Sequence, residues 1–243
     1  MTAIPDQPPR LSVADLRGSV GRRRRELVIR LLFLAASSIS ILVSFLIIVS
    51  LVGEAFTFIT QVDPGLLFER GWFPRRDLYG IPTILGGTLL VAGIGMLVAT
   101  PLGLGAAVYL SEYASPRLRR TVKPILEVLA GIPSVVLGYF ALQVISPTLV
   151  DGICPGTTEA SNLAAAGIGV GILITPLVAS VAEDAMYAVP RSLREAAYGL
   201  GARKRTTSLS VVLPAAVSGI VAALILGLSR GIGETMVVSI AAG

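Results

Sequence analysis

Residues 82–110 read PTILGGTLLVAGIGMLVATPLGLGAAVYL, a stretch of 29 residues without a charged side chain. About 20 apolar residues at about 1.5 Å each cover the hydrocarbon core of a bilayer, which is about 30 Å thick. Four further stretches of 22 to 24 residues also lack charges: 31–52, 128–150, 161–182 and 206–229. One such stretch could be a buried core helix, but five in succession predict an all-α polytopic membrane protein with five spans.

The composition and the placement of charge agree with this prediction. The chain is 53% hydrophobic and 14% charged, whereas a soluble domain has about a quarter of its residues charged. Its formal net charge of +5 raises the question of nucleic-acid binding. However, the basic residues cluster before the first stretch and after the second and fourth, with three after the first and none after the third. This alternation follows the positive-inside rule with a cytoplasmic N-terminus, so we expect a lipid bilayer and no nucleic acid as partner.

Several kinds of chemistry are excluded by residue types that the sequence lacks. It has no histidine, which excludes Ser–His and Cys–His catalysis and His-based metal sites. Its single cysteine, Cys154, has no partner for an internal disulfide. No Gly-x-x-x-x-Gly-Lys-Ser/Thr loop for nucleotide phosphates occurs. We therefore expect no catalytic residue, no metal and no directly bound cofactor, so that the chain is not an enzyme.

The predicted organisation has four parts. We expect residues 1–30 to be a flexible basic cytoplasmic tail, 31–52 the first transmembrane helix, 53–80 an extracytoplasmic loop and 82–243 the transmembrane core. The first apolar stretch is longer than the 7–15 residues or so of a signal peptide, so we interpret it as a span. The sequence is still apolar as it reaches Gly243, so we expect a sixth span in the native protein.

Small residues recur at helical spacing in the later stretches. Gly167 and Gly171 form one such pair, and a ladder of four follows in the fifth stretch: Gly219, Ala223, Gly227 and Gly231. Small residues let helices approach closely where lipid supplies no hydrophobic driving force. We predict that both patterns serve helix packing.

The longest inner loop, at about residues 183–213, carries the most specific pattern. It predicts a short helix, a break at Gly199 or Gly201, and a second helix that leads into the membrane. Ala196, Ala197 and Gly201 give the loop a small-residue face flanked by charges, which can seat in a groove of another protein. From the residues alone, an ordinary amphipathic connector remains an alternative.

Glu195-Ala196-Ala197, followed by Gly201 and later by Leu213-Pro214, resembles the EAA loop of ABC importer permeases, the inner-membrane components of binding-protein-dependent transport systems. The resemblance implies the MetI-like transmembrane domain of a type-I ABC importer. It also implies that the loop docks onto a separate ATP-hydrolysing subunit. The coupling residues would then be Arg194, Glu195, Ala196, Ala197 and Gly201.

Three other stretches resemble the permeases of Pst phosphate importers: LSEYA at 110–114, LAGIPSVV at 129–136 and GIGETM at 231–236. Within the last stretch, GETM at 233–236 is more similar to the C-type subunit than to the A-type subunit. This resemblance implies an inorganic phosphate importer in a bacterial or archaeal cytoplasmic membrane. The implied partners are an ATP-binding subunit, a second homologous permease and an extracytoplasmic phosphate-binding protein. Because other importers share the EAA loop, sulfate, molybdate or another solute stays open as cargo, and a non-transporting structural or signalling subunit is a remote alternative.

Arg230 and Glu234 are opposite charges four residues apart within the fifth apolar region, so one helix face can hold both. A charge at the bilayer centre costs about 2.5–3.5 kcal/mol on insertion scales and indicates function by default. The planar guanidinium suits phosphate oxygens, and the matching pair in the Pst family is implicated in phosphate movement. We predict a substrate pathway here, with Gly227 and Gly231 leaving room in front of the charges; a structural ion pair is the alternative.

The remaining charges near the spans are expected to be less important. Lys123 and Glu127 are predicted to pair with each other at the mouth of the third span. Glu112, Glu183 and Asp184 are predicted to be solvated at the inner membrane edge.

Overall fold

A computed structural model describes residues 20–69, 71–153 and 161–243. Residues 1–19, Arg70 and residues 154–160, which include Cys154, lie outside the described residues. The chain divides into two compact units, residues 1–67 and 68–243.

The described part of the first unit is dominated by one long helix, α1, at Val20–Gln61, and a 3₁₀ turn at Pro64–Phe68 leads out of it. The helix extends beyond both ends of the predicted span, so residues 20–30 and 53–61 are helical as well. The reason is local: no proline interrupts the segment, and arginine is a good helix former.

The second unit begins with a small antiparallel hairpin. Strand β1 at Trp72–Phe73 pairs with β2 at Leu78–Tyr79 across a 3₁₀ turn at Pro74–Arg76. The rings of Trp72 and Tyr79 meet edge to face with centroids 6.1 Å apart. Gly80 follows, where a Cβ would lie 2.2 Å from the carbonyl oxygen of Glu69, so only glycine fits.

Eight helices complete the described part of this unit. Helix α2 is Ile81–Val108 with a π-helical turn at Tyr109–Tyr113, α3 is Pro116–Leu129, and α4 is Ser134–Phe140, extended by a π-helical segment Ala141–Val150 and a turn Asp151–Ile153. Helix α5 is Leu163–Tyr187, α6 is Arg191–Gly199, and α7 is Lys204–Thr207, extended through Ser208–Val212 and Leu213–Ala215. Helices α8 and α9 are Val217–Ile232 and Met236–Ala241.

Within the described ranges, four helices are long and apolar enough to cross a membrane, namely α1, α2, α4 and α5. A fifth is added if α7 and α8, which are bent by 71° relative to each other, form one broken span. The predicted all-α architecture is therefore confirmed, but the fifth stretch is not a straight helix.

The third predicted span is also displaced. Its helix begins at Ser134, while Val128 and Leu129 belong to α3. Gly131 and Pro133 explain the break, because glycine costs helix stability and proline removes a backbone donor and restricts the residue before it.

Helix α5 lies at the centre of the second unit and packs closely on α2. A Cβ at Gly167 would lie 2.7 Å from the Cβ of Ile94, and one at Gly171 would lie 2.9 Å from the carbonyl oxygen of Gly95. The prediction that this glycine pair serves helix packing is confirmed.

The small-residue ladder of α8 also packs against α5. A Cβ at Gly219 would lie 2.4 Å from the Cβ of Ala185, and one at Gly227 would lie 2.6 Å from a methyl carbon of Val178. The packing role of the ladder is confirmed. The expectation that Gly227 leaves room in front of the charges is wrong, because that space is filled by α5.

Candidate functional site

The loop between α5 and α7 has the predicted form of helix, break and helix. Helix α6 ends in a Schellman motif: Gly201 N–H donates to the carbonyl of Tyr198 at 2.9 Å, and Ala202 N–H donates to that of Ala197 at 3.0 Å. Gly201 has φ 79°, a left-handed conformation that glycine adopts without steric cost. The predicted break is confirmed at Gly201.

The side chains of α6 divide into an inner and an outer set. Ala197 is buried at 8% exposure, whereas Glu195 and Ala196 are exposed, and Leu200 is 90% exposed. The predicted smooth face of Ala196, Ala197 and Gly201 is therefore split, since Ala197 points into the protein. The outer surface therefore presents a carboxylate, small residues and one unburied leucine.

Arg194 belongs to the inner set and ties α6 to two other elements. Its guanidinium donates to a carboxylate oxygen of Glu112 at 2.9 and 3.3 Å, to the Val189 carbonyl at 2.6 Å and to the Met186 carbonyl at 2.9 Å. The side chain of Glu112 is only 3% exposed. The prediction that Glu112 is solvated is wrong: it anchors Arg194 to the π-helical turn that ends α2.

Glu183, near the end of α5, is the second buried carboxylate. It is fully buried and accepts hydrogen bonds from Arg119 Nε at 2.6 Å and from Lys123 Nζ at 3.1 Å. Lys123 also pairs with Asp184, which is exposed. The predictions that Glu183 is solvated and that Lys123 pairs with Glu127 are therefore wrong, since Lys123 turns toward α5 and holds α3 against it.

The electrostatics of this cluster favour its charged form. Burial lowers the pKa of Lys123, but its hydrogen bonds to Asp184 and Glu183 outweigh burial, so the pKa lies above its usual value. Arg119 behaves likewise: the lowering by burial is outweighed by Glu183, and its pKa is raised. A sequence signal for the cluster does exist, because Arg119 and Lys123 are spaced i,i+4 and Glu183 follows directly on a charge-free run of small residues.

Arg230 and Glu234 meet, but not on one continuous helix. Helix α8 ends at Ile232, and Glu234 lies in the turn before α9. The guanidinium and carboxylate are 3.9 Å apart; the Arg230 side chain is 53% exposed and that of Glu234 is 6% exposed. Glu234 also accepts the backbone N–H of Val237 at 3.4 Å. The buried carboxylate thus holds the first turn of α9 and faces a largely exposed arginine.

A cavity of about 350 Å³ opens beside Glu234. Its wall combines residues of α2, including Thr88, with Glu234, Thr235 and Ser239. These polar groups meet near the end of α8, so the turn offers hydroxyls and one carboxylate to a solute. Within the described ranges, no group of three or more His, Cys, Asp or Glu is arranged to hold a metal ion.

A family model described as the binding-protein-dependent transport system inner membrane component matches residues 99–243. The chain belongs to this family. It is therefore an integral membrane protein of a transport system, and the matched region contains α6, the buried carboxylates Glu112 and Glu183, and the Arg230–Glu234 turn.

Curated relatives carry phosphate transport names. The phosphate transport system permease protein PstC of Haemophilus influenzae is 34% identical over 81% of this chain and 68% of that protein. The protein of the same name from Xylella fastidiosa (strain 9a5c) is 34% identical over 72% of this chain and 60% of that protein. Permease protein PstA 1 of Mycobacterium tuberculosis (strain H37Rv) is 36% identical over 72% of this chain and 54% of that protein.

The chain thus spans between 54% and 68% of the length of these three relatives. A solved structure of the MetNI methionine ABC transporter in an inward-facing conformation aligns with 61% of this chain and 66% of its own, at 25% identity and a TM-score of 0.49.

Proposed function

We propose that the chain is the C-type membrane permease subunit of an ATP-driven inorganic phosphate importer. The family membership and the names of the relatives support this proposal. The chain forms part of the translocation pathway and hydrolyses no ATP itself, because a separate subunit supplies that activity.

The observation that carries the proposal is the exposure of Arg230. A guanidinium that is 53% exposed on the side of an apolar helix is unfavourable against lipid tails. Its surroundings in the assembled transporter must therefore be polar, which a water-filled path beside a second, homologous permease subunit provides. There Arg230 attracts the phosphate anion through its planar donors, and Glu234 orients Arg230 and keeps anion binding weak enough for release.

The outer surface of α6 is the proposed docking site for the ATP-binding subunit. Leu200 inserts into a groove of that subunit, with Glu195 and Ala196 at its rim. Arg194 contributes to the docking site by holding α6 in place from inside, through its bonds to Glu112 and to two backbone carbonyls. An extracytoplasmic phosphate-binding protein delivers the anion at the opposite end of the bundle.

The proposed setting is the cytoplasmic membrane of a bacterium or archaeon, crossed several times, with the N-terminus inside. The basic residues that follow the second and fourth apolar stretches support this orientation. It puts α3 and α6 on the cytoplasmic side, where ATP is available.

The test is labelled-phosphate uptake in cells that lack their own phosphate importers and carry the full-length protein with its neighbouring subunits. Arg230→Ala should abolish uptake while the complex still assembles. Arg25→Ala, which removes an exposed arginine of α1, is the matched control and should leave uptake intact. Uptake near the parent level in Arg230→Ala would refute the pathway. Uptake that sulfate or molybdate suppresses as strongly as unlabelled phosphate would overturn the cargo.

Docking is tested separately by copurification of the ATP-binding subunit. Leu200→Asp should lose this subunit because it puts a charge at the centre of an apolar contact, while Leu200→Met should retain it. Unchanged copurification of Leu200→Asp would remove α6 from the interface without bearing on the cargo.

A further inference from the structure

Helix α3 lies between two membrane-crossing helices. It follows α2 after the two residues Ala114 and Ser115, and α4 follows it after the short turn of residues 130–133. Ser115 caps its start by accepting the Leu118 N–H at 3.3 Å. Both ends of α3 are therefore tethered to the same boundary of the membrane, and its four basic residues prevent it from crossing the bilayer.

The rotation of α3 about its own axis is fixed by the ion-pair cluster described above. Arg119 and Lys123 lie one helical turn apart and both bond Glu183 of α5. The guanidinium of Arg119 also lies over the ring of Tyr187, 3.5 Å from its centroid. One side of α3 is therefore committed to α5, and the opposite side faces away from the protein.

The side that faces away is apolar. Steps of about 100° per residue place Leu118, Ile125, Val128 and Leu129 within one sector of the helix. All four are exposed, at 39%, 50%, 74% and 41% respectively. An exposed apolar sector on a helix tethered at the membrane boundary matches the pattern of helices that lie in the interface plane.

A basic edge borders this sector. Arg117 and Arg120 are exposed, and among the described residues neither takes part in a salt bridge. Arg120 lines a cleft of about 360 Å³ together with Arg119, Lys123 and one carboxylate, Glu127. Two unneutralised guanidinium groups next to an apolar sector suit the phosphate of an anionic lipid, which lies just above the acyl chains.

We propose that α3 is an interfacial helix that binds anionic phospholipid. Its apolar sector enters the boundary between headgroups and acyl chains, and Arg117 and Arg120 bind the lipid phosphate. The proposal requires that the chain is an integral membrane protein, which its family establishes; only the choice of the cytoplasmic leaflet rests on the proposed function.

The depth of α3 is measured on the full-length protein in lipid vesicles. A nitroxide is attached at Val128→Cys, in the apolar sector, or at Glu127→Cys, its exposed polar neighbour, both in a Cys154→Ser background. Position 128 should be relaxed by oxygen and protected from a water-soluble nickel reagent, and position 127 should show the reverse. Equal access of the nickel reagent at both positions would overturn the proposal. Protection of position 128 from both oxygen and the nickel reagent would also overturn the proposal, because a protein rather than lipid would then cover the helix.

Lipid selectivity is measured with a fluorophore attached at Val128→Cys. Brominated lipids quench this fluorophore when they lie next to it. Brominated phosphatidylglycerol should quench more than brominated phosphatidylcholine, and Arg117→Gln with Arg120→Gln should weaken this preference by about five-fold for each arginine. The matched pair Arg24→Gln with Arg25→Gln should keep the preference. An unchanged preference in the first pair would overturn the assignment of the arginines. Loss of the preference in excess inorganic phosphate would assign the site to free phosphate instead of lipid. Neither readout depends on transport, so failure of the proposed cargo leaves this test valid.

Discussion

Replacing Glu183 by glutamine should destabilise the protein more than any other single neutralisation of a carboxylate in its cluster. Glu183 accepts two hydrogen bonds from charged donors, and a hydrogen bond to a charged group contributes about 1.5–3 kcal/mol. The full loss is reduced for two reasons. Arg119 and Lys123 are 22% and 23% exposed and can regain water, and glutamine retains one acceptor oxygen.

We therefore expect Glu183→Gln to lower the free energy of unfolding by about 2 kcal/mol. For a chain of this size, about 1 kcal/mol corresponds to about 2–4 °C in Tm, so the Tm should fall by about 4–8 °C. The assay is heating of the purified protein in detergent, followed by size-exclusion chromatography of the fraction that remains folded.

Asp184→Asn is the matched control. Asp184 is the next residue and pairs with the same Lys123, but its side chain is 59% exposed, and exposed ion pairs contribute about 0.2–1 kcal/mol. Its Tm should fall by no more than about 4 °C. Equal losses in the two variants, or no loss in Glu183→Gln, would refute the reasoning that burial sets the strength of the cluster.

Three further predictions use the same heating assay. Gly201→Ala should lower the Tm by about 2–8 °C, because a side chain at φ 79° lowers the free energy of unfolding by about 1–2 kcal/mol. Gly199→Ala, in a regular helical turn, should not lower the Tm, and equal Tm values for the two variants would contradict this reasoning. Gly227→Ala should lower the free energy of unfolding by about 1–3 kcal/mol, since the added methyl group lies 2.6 Å from a valine side chain. Gly105→Ala adds a methyl group with no heavy atom within 4 Å and should leave the Tm unchanged. Asn162→Ala should lower the free energy of unfolding by about 1–2 kcal/mol, because it removes the N-cap of α5 and a 2.7 Å hydrogen bond to a serine hydroxyl. Asn162→Asp should keep the cap and lower the Tm less. Equal losses of Tm in the two variants would contradict the role of the side-chain oxygen.

Local patterns in the sequence were sufficient for much of the fold. The charge-free stretches predicted helices, because each is long enough to cross a bilayer and backbone groups there must bond within their own segment. The break at Gly201 was predictable for a similar reason, since a Schellman turn involves only residues within a few positions.

Prediction failed where the chain bends inside an apolar stretch. Residues 206–229 show no charge, yet the structure bends by 71° between α7 and α8. Hydropathy does not register such a bend, because the residues on both sides of it are equally apolar. Likewise, the boundary between α3 and α4 depends on Gly131 and Pro133 rather than on polarity.

The sequence by itself determined that the chain is a helical membrane protein whose inner loop folds as helix, break and helix, because both properties follow from composition and short-range spacing. Only the tertiary structure decided which charges are buried and which are free. Glu183 and Arg119 are 64 residues apart in sequence, and Glu112 and Arg194 are 82 apart. Helical periodicity shows which residues share a face, but it does not show which other helix that face meets. That depends on the close packing of small residues between α2, α5 and α8, which brings distant charges into contact and leaves Arg230 exposed.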